Sequence, residues 1–270
     1  MPTIDFETRA ADYVAISQHI SHDIASAALK YVPRPNEDSH VLDLACGRGD
    51  VTRIIMEDAA ARGDLLAPAI VGLDISPTMV KMFKEEAESK SWTRASAKIQ
   101  DAQDLSDFHD DHFDLVFMNF GIMFVPDPIR CTKEVFRVLK LGGYAIFTTW
   151  KEPGVPHLLA KAADTVSSTR SSRTTDGEWG TKEKLISTLT HGGFKEKDIQ
   201  VEVEQTKFQR DTAEEIAEAL SVPSWNPQHD GTHEATRKWR STLLEQMTPA
   251  QRDNASIDMI AWVGIAMKKE

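Results

Sequence analysis

The chain has 270 residues, 41% hydrophobic and 27% charged, which suits one large α/β core or a core with a cap. A formal charge of −11 without a large basic patch argues against nucleic acid as a partner and leaves a small molecule or a protein. No apolar run reaches the roughly 18 residues of a membrane span, and two cysteines, Cys46 and Cys131, make neither a metal-ligand spacing nor a disulfide framework.

Residues 1–35 predict an N-terminal helical lid, because Tyr13, Ile16, Ile20, Ile24, Ala27, Ala28 and Tyr31 recur at helical spacing before Pro33 and Pro35 end the pattern. His19 and His22 fall on this segment and are read as solvent-facing or core-edge side chains. No basic stretch followed by an apolar one opens the chain, so a secretory signal is not expected, and the location predicted is cytoplasmic and reducing.

Residues 36–150 alternate strands and helices. Strand one, His40–Leu44, turns through Gly47 and Gly49 into a helix that runs to about Arg62, with Gly63 as its C-cap. Strand two is Ala69–Asp74. Ser76 caps the next helix and Pro77 opens it, a position where a missing N–H costs little. Met79, Val80 and Phe83 face inward from it. Strand three covers about Ala97–Gln100. Strand four, Phe113–Met118, is a continuous apolar run of the kind buried on both faces of a parallel sheet. A helix carrying Ile129, Val135, Phe136, Val138 and Leu139 is expected to stop at Gly142-Gly143, and strand five follows as Tyr144–Trp150. This alternation predicts right-handed β-α-β units in a doubly wound α/β sheet.

The remainder, 151–270, reads as a substrate half. Pro153, Gly154, Pro156 and the polar run 167–175 suggest irregular chain around a helix near 157–166. A helix over 181–191 closes at Gly192-Gly193, strand six covers about Ile199–Phe208, and an apolar strand seven covers about Ile257–Met267. Between these strands, residues 209–255 are long enough for a helical cap, with helices over 212–221 and 232–246. One domain over 1–270 is expected.

A strand–Gly-x-Gly–helix unit is itself ambiguous, since a dinucleotide also uses one. The dinucleotide fingerprint wants a third glycine, and Thr52 stands in its place. Asp74 ends strand two beside the glycine loop, where a carboxylate can accept hydrogen bonds from both hydroxyls of a ribose. Asp43, below the glycine turn, has two compatible roles: meeting an ammonium group, or anchoring the loop through backbone N–H groups. Cys46 is read as a small residue fitted into the tight turn, because a reactive role would need exposure and a lowered pKa.

Five stretches, in order, resemble the motifs of class I S-adenosylmethionine-dependent methyltransferases of the small-molecule type related to the ubiquinone/menaquinone methyltransferases. They are Val41–Gly49, Val71–Ser76, Gln100–Leu105, Phe113–Phe120 and Glu134–Gly143. The resemblance implies a seven-stranded, mostly parallel sheet of order 3-2-1-4-5-7-6 with strand seven antiparallel. It also implies S-adenosylmethionine as donor, with S-adenosylhomocysteine as product. It carries cofactor contacts onto Tyr13, Asp43, Ala45, Gly47, Gly49, Asp74, Ile75, Met79, Asp101, Ala102 and Asn119. Asp74 would take the ribose, Ile75 the adenine face and Asp101 the exocyclic amine; Tyr13 would close over the cofactor, with a tyrosine simply packed on its amphipathic helix as the plainer alternative.

The activity expected is methyl transfer to an O, N or S atom of a small, partly apolar metabolite, by alignment and exclusion of water, with secondary metabolism as its setting. Phe120, Phe124 and Trp150 are the expected walls of an acceptor pocket, with Met123, Trp179 and Trp225 weighed as further lining or as plain core. His157 is the candidate base, and a helix-start histidine on the surface is the plainer alternative. Phe120-Gly121-Ile122 after Asn119 is not the Asn-Pro-Pro-Tyr context of enzymes that methylate nucleic-acid amines. Two other readings stay open. One is a cofactor-binding protein that catalyses a rearrangement or lyase step or acts in regulation; the other, lesser, is a protein methyltransferase. The sequence leaves the oligomeric state open.

Overall fold

A computed structural model describes residues 19–166, 177–222, 225 and 232–269. Its strands are β1 (His40–Leu44), β2 (Ala69–Asp74), β3 (Ala95–Ile99), β4 (Phe113–Met118), β5 (Leu139–Pro153), β6 (Ile199–Gln209) and β7 (Ser256–Met267). Among the described residues they form one seven-stranded sheet in the order β3-β2-β1-β4-β5-β7-β6. The pairs from β3 across to β5 are parallel, and β7 runs antiparallel to both of its neighbours. Order and direction are those the family resemblance implies.

The central strands are apolar because both of their faces are covered. Leu42, Leu44, Val116 and Met118 enter one buried cluster. Val41, Leu115 and Phe117 enter another on the opposite face, as the alternation of side chains along a strand requires. The chain reverses its direction of travel across the sheet between β1 and β4. The carboxyl ends of the strands diverge there and leave a crevice.

The helices are α1 (19–28, continuing as a 3-10 turn over Leu29–Tyr31), α2 (Asp50–Arg62), α3 (Pro77–Ser89), α4 (Pro128–Val138), α5 (Gly154–Val166), α6 (Lys182–His191), α7 (Ala213–Ala219), α8 (His233–Gln246) and α9 (Pro249–Asp253). α3 starts where Ser76 and Pro77 place it: the Ser76 hydroxyl accepts from Met79 N at 3.2 Å. In the insertion between β6 and β7 the same device recurs, with Thr212, Thr232 and Thr248 capping α7, α8 and α9. Ile216, Trp239, Leu243 and Met247 of this insertion belong to the same cluster as the faces of β1 and β4. No helix of the described residues is long and apolar enough to cross a membrane.

Of the boundaries that differ from the sequence expectation, three have a clear physical cause. α4 ends at Val138 and not at Gly142-Gly143, because Leu139 is extended, fully buried and paired with Phe113. Gly142, at φ 80°, turns the chain after the new strand has begun. β3 starts two residues earlier than its apolar residues suggest, since pairing of Ala95 with Ile70, and not burial, defines it. α5 begins at Gly154, with Pro156 in its first turn, where a proline has no hydrogen bond to lose. The polar run 167–175 and Tyr13 lie outside the described residues.

Candidate functional site

The crevice at the ends of β1, β2 and β4 holds a cavity of about 220 Å³. Its floor is the loop after β1, where Ala45 (φ 54°), Gly47 (φ 54°) and Gly49 (φ 92°) all adopt the left-handed region. The two glycines are needed for different reasons. A Cβ on Gly47 would meet no atom within 4 Å, so this backbone lies open to the cavity. A Cβ on Gly49 would sit 2.7 Å from the Phe83 ring, so this glycine lets α3 pack against the loop.

Two carboxylates hold the loop. Asp74 Oδ2 accepts from Gly47 N at 2.8 Å, and its Oδ1 accepts from Ser76 N at 2.9 Å. It thus ties the end of β2 to the loop while facing the cavity. Asp43 is buried, and its Oδ2 accepts from Thr52 N at 3.1 Å and from Thr52 Oγ1 at 2.7 Å. Thr52, where a dinucleotide fold would carry glycine, therefore anchors the start of α2. Burial lifts the Asp43 carboxyl to about 7 despite the two Thr52 hydrogen bonds that pull it down. Burial also pushes the Cys46 thiol well above its ordinary value, so it remains protonated.

The rim opposite comes from the segment after β3. Ile99 pairs with Asp74, and Gln100 N donates to Asp74 O at 3.0 Å, which sets Asp101 and Ala102 across from the glycine loop. Gln103 braces this rim: its N–H and amide donate to Asp101, while its Oε1 accepts from Asp127 N at 2.8 Å. Asp43, Asp50, Asp74 and Asp101 line the cavity against Arg48, which is itself paired with Asp50 at 3.3 Å. Such a site favours a cationic ligand and repels a pyrophosphate.

Asp43, Ala45, Gly47, Asp74, Ile75, Met79, Asp101, Ala102 and Asn119 all line the cavity, as do Phe120 and Phe124. Gly49, on the same loop, is not among the lining residues. Trp150 lies behind Phe120, with ring centroids 3.8 Å apart and planes inclined by 15°. Met123 and Trp179 are buried in the main core and Trp225 packs at its edge, all three outside the lining. His157 is in the first turn of α5 and does not line the cavity. His19 reaches Lys207 O at 3.1 Å on β6, and His22 lies 3.7 Å from Asp23, both away from the cavity. Between them Ser21 does line it. Sequence reasoning missed Ser21, Gln100 and Gln103. The glutamines flank Asp101 and were within reach of that reading, whereas Ser21 depends on how α1 docks.

The strand order, the antiparallel β7 and a glycine loop facing an acidic strand end define the architecture of the nucleoside-dependent methyltransferases. Residues 35–212 match a family described as a methyltransferase domain, and the chain belongs to that family. It is 30% identical over 154 residues to the demethylmenaquinone methyltransferase of Staphylococcus carnosus, covering 56% of this chain and 61% of the relative. Matches to the first curated relatives span between 48% and 61% of their length. Among solved structures, a phosphoethanolamine N-methyltransferase 2 of Haemonchus contortus is 17% identical with a TM-score of 0.59, covering 98% of this chain and 59% of that one. That structure holds phosphomonomethylethanolamine and S-adenosylhomocysteine. The cyclase SpnF shares the fold at 17% identity and a TM-score of 0.53, covering 94% of this chain and 84% of its own.

Proposed function

We propose that the chain transfers the methyl group of S-adenosylmethionine to an O, N or S atom of a small, partly apolar molecule. The observation that carries the reading is the pairing of Asp74 with the open backbone of Gly47 in a cavity lined by four aspartates. The residues fit this donor: a carboxylate at a strand end for ribose hydroxyls, Ile75 and Met79 as apolar surface for a base, and negative charge for a ligand carrying sulfonium and ammonium groups. The S-adenosylhomocysteine in the phosphoethanolamine methyltransferase is the product of the same donor.

When bound, the sulfonium supplies an activated methyl electrophile. The chain's own part is then to align and to exclude water. Phe120 and Phe124 offer an apolar wall for the acceptor, and Trp150 backs Phe120. Among the described residues, the cavity lining includes no histidine, lysine or tyrosine, and its four carboxylates are held by Gly47, Thr52, Arg48 and Gln103, which favours acceptors that attack without a protein base. That observation also supports a second reading, in which the bound cofactor serves as a fixed charge for a rearrangement, as the shared fold of a cyclase allows. Loss of a labelled methyl to the acceptor separates the two.

Thermal unfolding with S-adenosylhomocysteine or NAD tests the cofactor. A ligand at 100 times its dissociation constant stabilises the folded state by about 2.7 kcal/mol, a shift of several degrees. The expected result is a shift with S-adenosylhomocysteine, a much smaller one in Asp74→Asn, and none with NAD. A shift with NAD alone sinks the reading.

A further inference from the structure

A directed chain of hydrogen bonds joins β5, the end of β4 and α1 beneath the cavity. The fully buried Thr148 hydroxyl accepts from Phe120 N at 2.8 Å and donates to Asn119 Oδ1 at 2.7 Å. The Asn119 amide then donates from Nδ2 to Ser21 O at 3.1 Å. Each group can take only one role in this sequence: a backbone N–H must donate, a carbonyl must accept, and the hydroxyl between them serves both. The chain therefore fixes which way the Asn119 amide faces.

The same hydroxyl holds an unusual backbone. Phe120 is at φ 54°, a region that a bulky side chain enters only when its surroundings enforce it. Phe120 keeps its ring stacked on Trp150, two residues beyond Thr148 on β5. Next in line, Gly121 carries no Cβ because one would meet the Ala45 methyl at 2.6 Å, so the β4 loop presses directly on the glycine loop. Ser21, Asn119 and Phe120 all line the cavity.

The geometry points to Thr148 as a positioning residue: its hydroxyl holds the left-handed Phe120 wall and, through the Asn119 amide, latches α1 to the cavity, so that α1 and the ligand site move as one unit. Ile20 and Ile24 pack α1 into the core that also holds Met118 and Phe120, and the Asn119 bond adds a directed tie to the cavity. Side-chain bonds from Thr206 Oγ1 to Asp23 and between His19 and Lys207 O tie α1 to β6 at the far edge of the sheet. Coupling to the donor rests on the cofactor reading above, whereas the latch itself does not.

Hydrogen exchange of the full chain without ligand, followed by mass spectrometry, tests the latch in Thr148→Val, Thr148→Ser, Asn119→Ala and the Thr148→Val/Asn119→Ala double variant. Removing one of these bonds should speed exchange about tenfold in the segment it holds. Thr148→Val should do so in both 19–28 and 119–121, Asn119→Ala in 19–28 alone, and Thr148→Ser in neither. The double variant should exchange at 19–28 no faster than Thr148→Val, because the two changes break one chain. Wild-type exchange at 19–28 in Asn119→Ala, or additive effects in the double variant, overturns the latch. Asn119→Ala and Thr148→Ser decide the matter should Thr148→Val not fold. Calorimetric titration with S-adenosylhomocysteine reads the coupling: affinity should fall about tenfold in Thr148→Val and recover in Thr148→Ser. Unchanged affinity overturns the coupling. A wild-type protein that does not bind the ligand overturns the cofactor reading and leaves the exchange results to judge the latch.

Discussion

Asp43 is where burial and charge conflict most sharply. Its carboxyl lies at the end of a fully covered strand and stands at about 7 when folded, against 3.8 as its ordinary value. An acid whose folded pKa is raised binds a proton in the native state that the unfolded chain has already lost. Between about pH 4 and pH 7 the native state thus holds more protons, and this group's contribution to stability falls as pH rises through that window, then levels off above it. Asp43→Asn keeps an oxygen for Thr52 and cannot ionise. The urea midpoint of wild type should therefore decline relative to Asp43→Asn between pH 5 and pH 8. A constant gap between the two proteins across that range would show that Asp43 ionises freely in the fold. Thr52 and Asp43 were both visible as residues of interest in the sequence. Their bond was not, because a threonine in a glycine position reads only as a departure until its hydroxyl is seen to anchor the helix.

The loop between β1 and α2 separates two demands that the sequence shows only as Gly-Arg-Gly. Gly49→Ala places a methyl 2.7 Å from the Phe83 ring at φ 92°, so a cost of about 1–3 kcal/mol in stability is expected from strain and overpacking. Gly47→Ala meets no atom, and its left-handed backbone costs about 1–2 kcal/mol. Its methyl projects toward the cavity, so its larger effect should be on ligand affinity. Melting curves and S-adenosylhomocysteine titration of the two variants check this; equal loss of affinity in folded Gly47→Ala and Gly49→Ala would contradict the division. At this scale the sequence was legible wherever the signal was local. β1, β2 and β4 were read to their end residues because each is an apolar run bounded by turn residues. The end of α4 was misread because Gly142-Gly143 is a strong stop signal, while the true end was set by a pairing of Leu139 with Phe113 on a neighbouring strand. The Asn119 contact to Ser21 spans 98 residues of chain, and no local pattern announces it.

At the scale of the molecule, the cap and the cofactor half share one core, and this carries a consequence for how the protein unfolds. The buried cluster that includes Leu42, Leu44, Val116 and Met118 continues through Leu158 and Ala162 of α5 to Ile216 of α7 and to Trp239 and Leu243 of α8. Trp239 is 2% exposed, and its indole N–H donates to Leu220 O at 3.3 Å, binding α8 to the end of α7. Replacing a buried tryptophan by alanine costs about 3–5 kcal/mol, which in a chain of this size lowers the melting midpoint by roughly 10 °C. With a shared core that loss belongs to the whole chain. Calorimetry of Trp239→Ala should then show one transition, with calorimetric and van't Hoff enthalpies in agreement, moved down as a unit. S-adenosylhomocysteine, whose proposed cavity is not lined by Trp239, should raise that single midpoint. Two transitions, the lower insensitive to the ligand, would mean that the cap over residues 209–255 melts alone and that the chain is two cooperative units.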